Sequence, residues 1–431
     1  MNPKTSSQQV TIQGGCSFNG TIRVPGDKSI SHRALMIAAL GRRPCEVRGL
    51  SDGQDVARTL SAIAALGART ESLGDNAVRI TGGLIGASEP LYLGNSGTAI
   101  RLLAGLLAGF GFSTTLDGDA SVRSRPMDRI IVPLSQMGAS IKGSGPKGSL
   151  APLHVRGGQL RGIDYALPVA SAQVKSALLL AALNAVGPTV VREPQLSRTH
   201  TEEMLASAGA KLVREANTIQ IWPGELEPPD VEVAGDPSQA AFWLVGALLA
   251  PDSNLVAQSV YLGPARCGFI DVLQRMGAAI DTDAATGVVS ARSSQLTGTS
   301  IATQEMPGCI DEVPILAVAA AAASGTTTIE GIAELRVKET DRAATISTLL
   351  GALGVKHHLS KQRLVISGLG RAQFSKHATI DAQGDHRIAM AAAIAGAVGL
   401  GTVTITGFEA TQTSYPGFAQ DLATVTQGVA L

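Results

Sequence analysis

A glycine doublet that returns at a nearly fixed interval restricts this chain to a repeat architecture. Gly-Ala, preceded by a small or apolar residue, occurs at Leu66-Gly67-Ala68, Met137-Gly138-Ala139, Ala208-Gly209-Ala210 and Met276-Gly277-Ala278, with the variant Leu353-Gly354-Val355. Successive glycines lie 71, 71, 68 and 77 residues apart. Each doublet ends an amphipathic stretch such as residues 55–66 or 271–276 and leads into strand-like runs such as 69–71 and 77–81. Glycine at that place reads as a helix C-terminal stop.

A second series is interleaved with the first. Helices that open on polar residues and continue in leucine, alanine and isoleucine begin near Lys28, Ser96, Ala172, Ser238, Glu312 and His386. The best defined follows the strand-like Leu91-Tyr92-Leu93: Gly94-Asn95-Ser96-Gly97-Thr98 leads into Ile100, Leu102, Leu103, Leu106 and Leu107, apolar on nearly every face. Such a helix belongs in a core with only its polar start at a surface, and the unpaired N–H groups of that start attract anions.

Six openings imply six units of roughly seventy residues, each reading strand, buried helix, strand, amphipathic helix, strand, strand. The expected class is therefore α/β. The sixth unit has no clear doublet and is the weakest member. Three units can close one domain around three buried helices, so the chain makes two domains. The proline-rich break at 223–229 marks the middle, and the stretch 20–25 is a second candidate crossing. The expected domains are 21–233 on one side and 1–20 with 234–431 on the other. Helix starts converging on an interdomain cleft would make an anion site in a neutral protein.

Composition narrows the function. Lysine plus arginine and aspartate plus glutamate number 35 each, and aromatics are 3% of the chain. There is no basic field and little stacking surface to hold nucleic acid, so anions must be held by local clusters. Cys16, Cys45, Cys267 and Cys309 show no C-x-x-C spacing, which fits a reducing compartment and argues against zinc or disulfides. The apolar runs at 315–323 and 388–400 are too short or too weakly hydrophobic to span a bilayer, and the first ten residues are neither a signal nor a transit peptide. The expectation is a cytoplasmic protein that uses no metal, cofactor, nucleic acid or membrane.

The chemistry-bearing residues gather at the helix openings. Pro25-Gly26-Asp27-Lys28-Ser29-Ile30-Ser31-His32-Arg33 sets a lysine at the first start and an arginine about one turn on, without the glycine spacing of a Walker loop. Arg123, Arg125 and Arg129 lie in a turn-rich segment, and arginine forks suit carboxylate and phosphate. Ser171-Ala172-Gln173-Val174-Lys175-Ser176, with Ser197 and Arg198 further on, supplies hydroxyl, amide and cationic groups. The second half adds Asp311-Glu312, the alternating Arg336-Val337-Lys338-Glu339-Thr340-Asp341-Arg342, and Gly384-Asp385-His386-Arg387. Taken singly, each also fits a helix cap, a solvated loop or a surface salt bridge.

The set PGDKSISHR, LGNSGTAIR, RSRPMDR, ASAQVKSA, LRVKETDR and GDHRIAM, in this order over nearly the whole chain, resembles the 5-enolpyruvylshikimate-3-phosphate synthase family, and SAQVKSA resembles its class II branch. The resemblance implies a two-domain inside-out α/β barrel built from six βαβαββ repeats, closing over shikimate 3-phosphate and phosphoenolpyruvate, in a monomer. By motif match it implies that Lys28, Ser29, Arg33, Ser171, Ala172, Gln173, Arg198 and Lys338 surround shikimate 3-phosphate. Lys28, Gly97, Arg125, Glu339, Arg342 and Arg387 would surround phosphoenolpyruvate. The reaction needs a base for the shikimate 5-hydroxyl, an acid for the methylene carbon and cations for the anionic substrates. Asp311 is the candidate base at the hydroxyl, with Glu339 and Lys28 candidates for proton transfer at the methylene carbon.

Three positions depart from the family pattern: Leu102 where many members have proline, Thr413 where others have lysine, and Ala172 where the other branch has serine. Gly97 keeps the small residue that the resemblance links to binding of the inhibitor glyphosate, and Leu102 leaves sensitivity open. The sister enzyme acting on UDP-N-acetylglucosamine is the alternative, but it carries a reactive cysteine in the loop equivalent to 118–129, and none stands there. The other alternative is a non-catalytic phosphate-binding homologue, which the joint retention of Lys28, Asp311 and Glu339 speaks against.

Overall fold

In the computed structural model, residues 8–428 are described. The chain divides into two units, the first Gly26–Ala234 and the second made of the residues up to Pro25 together with Gly235 onward. Each has its own continuous apolar core.

The two interleaved helix series resolve as the pattern requires. The buried helices are α1 (Lys28–Ala38), α2 (Gly97–Ala108) and α3 (Ala172–Ala182) in the first unit. The second unit has α4 (Pro237–Leu249), α5 (Val313–Ala322) and α6 (His386–Val398). Every residue of α5 and α6 is buried, which is possible because alanine, valine and isoleucine leave no face that needs water. The amphipathic helices, such as Gln54–Ala65 and Gly268–Arg275, bury one stripe only. The glycines of all five doublets have positive φ, between 76° and 109°, so they stop those helices by the left-handed turn that glycine adopts most readily.

Strands cover the buried helices with alternating residues, as in Thr326–Glu330, where Thr327 and Ile329 point inward. Among the described residues there are five four-stranded sheets, one three-stranded sheet and a parallel pair, Leu160–Arg161 with Ala185–Val186. Each four-stranded sheet has one parallel pairing followed by two antiparallel ones. In the order of pairing, the second sheet of the first unit runs Leu91–Tyr92, Ser113–Asp117, Leu150–Arg156, Ser140–Ser144.

Two strands are exchanged between repeats. Asn19–Arg23 directly precedes α1 but pairs in parallel with Asn254–Gln258 of the second unit. Val231–Glu232 directly precedes α4 but pairs in parallel with Cys45–Arg48 of the first. The sixth sheet is completed from the chain start, with Gln9–Gln13 antiparallel to Thr402–Thr406, itself parallel to His377–Asp381. This explains why the sixth repeat lacks a doublet: the strand pair that follows a doublet elsewhere is replaced by a single strand from the other end of the sequence.

The close approach of α2 and α3 depends on Gly105. A Cβ there would lie 2.2 Å from Ala177 O and 2.5 Å from its Cα, and neither is a side-chain atom that can rotate away. Gly105→Ala should therefore destabilise the first unit by about 1–3 kcal/mol, or more if the helices cannot separate. Urea titration of the variant beside the wild-type chain checks this, and an unchanged midpoint would refute it.

Candidate functional site

Most of the candidate residues fall at helix starts, in both units, while Arg125, Arg198, Lys338 and Glu339 lie in the segments between helices. In the first, α1 is capped by Asp27, whose carboxylate accepts from Ile30 N at 2.8 Å, α2 by Ser96 and α3 by Ser171. The missing intrahelical partners of the first N–H groups select these cap residues. Lys28 opens α1, and its Nζ lies 3.0 Å from Asp55 Oδ2 on the amphipathic helix Gln54–Ala65. Asp55 was not singled out in the sequence, where it reads as a favourable acid in a first helical turn.

Gln173 at the start of α3 is fixed by α2: its Oε1 accepts from Arg101 Nη1 at 2.8 Å and its Nε2 donates to Thr98 Oγ1 at 3.0 Å. Arg125, only 5% exposed, donates to Asn95 Oδ1 at 2.6 Å and Ser121 Oγ at 2.8 Å. A Cβ at Gly97 would stand 2.7 Å from Arg125 Nη1 and 2.9 Å from Arg101 Nη1, so glycine leaves room for both guanidinium groups. Arg33 is buried. It donates through Nε to Thr201 Oγ1, through Nη2 to Ser176 Oγ and through Nη1 to Ser29 O. Arg198 Nη1 lies 3.4 Å from Ser29 Oγ. Ser29, Arg33, Ser171, Ala172, Gln173 and Arg198 are thus brought to the starts of α1 and α3 and the segment before the helix His200–Ser207.

His32 lies behind Lys28, fully buried, with Nδ1 2.7 Å from Thr59 Oγ1 and Nε2 3.3 Å from Ser96 Oγ. It connects α1, the Gln54–Ala65 helix and the cap of α2. Burial, then the nearby charges of Lys28 and Arg33, hold its proton affinity well below the ordinary value.

In the second unit each of the three buried helices starts on an acid: Asp236 accepts from Ser238 N and Asp385 from Arg387 N, while Glu312 stands at the cap position of α5 and turns its carboxylate to Ser238 and Arg266 instead. Buried arginines neutralise them. Arg266 contacts Asp236 Oδ1 at 2.5 Å and Glu312 Oε1 at 3.0 Å. Arg342 contacts Asp385 Oδ2 at 2.8 Å and Glu339 Oε2 at 2.5 Å, with Asp311 Oδ1 at 3.5 Å. Burial opposes the charge of Arg342, but Asp385, Glu339 and Asp311 outweigh it and raise its proton affinity above the ordinary value.

Asp311, just before the cap of α5, is the meeting point of this half. Its carboxylate faces Lys338 Nζ at 3.1 Å, Arg342 at 3.5 Å and Arg387 Nη2 at 4.0 Å, while its carbonyl accepts from Arg387 Nη1 at 3.0 Å. Asp311, Lys338, Glu339, Arg342 and Arg387 are therefore one cluster, although 76 positions separate Asp311 from Arg387. Alternating charges read along the sequence as a surface helix; in the structure Arg342 is fully buried and its partners come from three segments.

Two of the thiols are placed unlike nucleophiles. Cys309 is buried, and burial, then Asp230 and Glu46, push the Cys45 thiol up to about 11. Among the described residues, no group of histidine, cysteine and carboxylate side chains could hold a metal ion, and no helix is long and apolar enough to cross a membrane.

A family model described as EPSP synthase (3-phosphoshikimate 1-carboxyvinyltransferase) matches residues 12–422. The 3-phosphoshikimate 1-carboxyvinyltransferase of Bacillus cereus is 43% identical over 416 residues, covering 94% of this chain and 96% of its own length. Among solved structures, an EPSP synthase from Acinetobacter baumannii superposes with a TM-score of 0.86 at 38% identity, with 99% of each chain covered. The enolpyruvyl transferase NikO from Streptomyces tendae, with a TM-score of 0.79 at 20% identity, shares the fold. The architecture is thus one found in solved enolpyruvyl transferases. Within that class, the chain belongs to the EPSP synthase family.

His32 generates a pH prediction. Its folded pKa lies below the ordinary 6.5, so below that pH the unfolded chain takes up a proton that the folded chain refuses. Its share of stability is complete above pH 6.5 and declines toward the folded pKa, at about 1.4 kcal/mol per pH unit. Denaturation at neutral and mildly acidic pH should show the wild type losing more stability than His32→Gln. Equal losses would show that this imidazole is not the group refusing the proton.

Proposed function

We propose that this chain transfers the enolpyruvyl (carboxyvinyl) group of phosphoenolpyruvate to the 5-hydroxyl of shikimate 3-phosphate, releasing phosphate. The reaction is a step of the shikimate pathway toward chorismate and the aromatic amino acids. The observation that carries the mechanism is the setting of Asp311, an acid beside Lys338, Arg342 and Arg387 at the start of a buried helix. A carboxylate so placed can accept a hydroxyl proton while the cations around it hold phosphate and carboxylate groups.

In this reading Asp311 takes the proton of the 5-hydroxyl as its oxygen attacks the enol carbon. Glu339 or Lys28 protonates the methylene carbon, which becomes a methyl group in a tetrahedral adduct. Loss of a proton from that methyl group and expulsion of phosphate restore the double bond. Lys28, Ser29, Arg33, Ser171, Ala172, Gln173, Arg198 and Lys338 serve shikimate 3-phosphate. Lys28, Gly97, Arg125, Glu339, Arg342 and Arg387 serve phosphoenolpyruvate. Arg342 would share its donors between its carboxylate partners and that of the substrate. The scheme needs no metal or cofactor.

The named charges support a division of labour. The first-unit set holds Lys28, Arg33, Arg125 and Arg198 against Asp27 and Asp55, a balance suited to a phosphorylated substrate. The second-unit set holds the carboxylates suited to moving protons. The reading extends to a cytoplasmic monomer, with glyphosate competing for the phosphoenolpyruvate groups at a strength set by Gly97 and Leu102.

Purified protein given phosphoenolpyruvate and shikimate 3-phosphate should release phosphate, and none with UDP-N-acetylglucosamine in place of the shikimate. Release with the nucleotide sugar would move the assignment to the sister activity, and release with neither would leave a non-catalytic homologue. Asp311→Ala should lower kcat by about 10²–10⁴-fold, the range for loss of one general base. Full turnover in that variant would remove Asp311 from the proton path. A sedimentation-velocity run at assay concentration tests the monomer.

A further inference from the structure

The first unit contains a buried charge cluster that the reaction scheme does not use. Lys175, on α3, is fully buried, with Nζ 2.8 Å from Glu193 Oε2 and 2.7 Å from Glu202 Oε1. Glu193 follows the strand Thr189–Arg192, and Glu202 lies in the first turn of His200–Ser207. Arg214 Nη1 lies 3.6 Å from Glu202 Oε1 and brings the cluster to neutrality from a partly exposed position. In water-accessible places such ions would contribute little, and in a core an apolar set of the same volume is often as stable. Stability alone does not explain this arrangement.

What the cluster grips is the connection between Glu193 and Glu202. Lys175 Nζ donates to Ser197 O at 3.3 Å, and the Ser197 hydroxyl donates to Glu193 Oε1. The segment is held again four residues later, where Thr201 Oγ1 accepts from Arg33 Nε at 2.7 Å and pairs with Ser176 Oγ at 2.6 Å. Arg198 sits between these anchors. A loop of this kind would otherwise move more freely than the helices beside it.

We propose that Lys175, Glu193 and Glu202 are positioning residues for shikimate 3-phosphate. They act through Ser197 to hold Arg198 beside Ser29 and the start of α3. The inference rests on the functional reading above, which gives Ser29, Ser171 and Arg198 to that substrate. None of the three needs to touch a substrate; they set where Arg198 stands, and a guanidinium displaced by a fraction of its hydrogen-bond length loses its fork geometry.

The test is a steady-state comparison of the wild type with Lys175→Met/Glu193→Gln/Glu202→Gln, which removes the buried charges while keeping side-chain size. The expected result is a folded protein whose KM for shikimate 3-phosphate rises by about tenfold or more while its KM for phosphoenolpyruvate stays near wild type, since misplacing one binding group costs this much. A folded variant with an unchanged KM for shikimate 3-phosphate, or with both KM values raised together, overturns the inference. Should the triple variant not fold, Lys175→Arg keeps every charge but moves the donor away from Ser197 O, and the same split between the two KM values decides. Wild-type protein run alongside separates the claims. No turnover there overturns the functional reading and this inference with it, whereas wild-type turnover with no split in the variant overturns the inference alone.

Discussion

A helix with no wet face still has a first turn whose N–H groups lack partners, and this constraint organises the molecule. Among the described residues six such helices are buried, and at five of the starts a side chain caps them. The side-chain caps are Asp27, Ser96, Ser171, Asp236 and Asp385, while α5 starts at Glu312 with Pro314, which has no N–H to satisfy, in its first turn. Capping by hydroxyl or carboxylate gathers polar groups at one end of each otherwise apolar element. The same requirement that lets the helices be buried therefore concentrates the reactive side chains.

The two units meet this requirement differently. Two of the three caps in the first unit are serines, which satisfy N–H groups without cancelling the positive end of the helix. The residues at all three starts in the second are acids, two of which cap their helices, and burying them requires cations, supplied by Arg266 and Arg342. A buried acid left unpaired would be far more costly than the serine solution. The acid-capped unit consequently carries a network in which further carboxylates, Asp311 and Glu339, can be held beside fixed guanidinium groups.

The repeat, the two helix series and the strand pairs after each glycine doublet were legible because they depend on local sequence: periodicity, turn chemistry and small residues. The motifs at helix starts were legible for the same reason. Long-range pairings were not. Nothing local in Asp55 announces Lys28, and nothing in Arg266 announces Asp236 and Glu312, since each reads alone as an ordinary surface charge. Lys175 was visible as part of the α3 motif but not as an ion pair, because its two carboxylates lie 18 and 27 positions away on separate elements. The partners of the strands Asn19–Arg23 and Val231–Glu232 were hidden too, as a strand's sequence states that it pairs and not with which neighbour.

Those exchanged strands bear on the order in which the molecule can be built. Asn19 meets Asn254 across 235 positions, and Thr11 meets Thr404 across 393. During synthesis from the N-terminus, the strands Gln9–Gln13 and Asn19–Arg23 emerge first, yet their neighbours in the sheets emerge much later. The first unit, by contrast, has all its strands once Val231–Glu232 is made. It is free to assemble while the earliest residues wait, and the second unit closes only when nearly the whole chain is available. The beginning of the sequence is thus among the last parts to find its place.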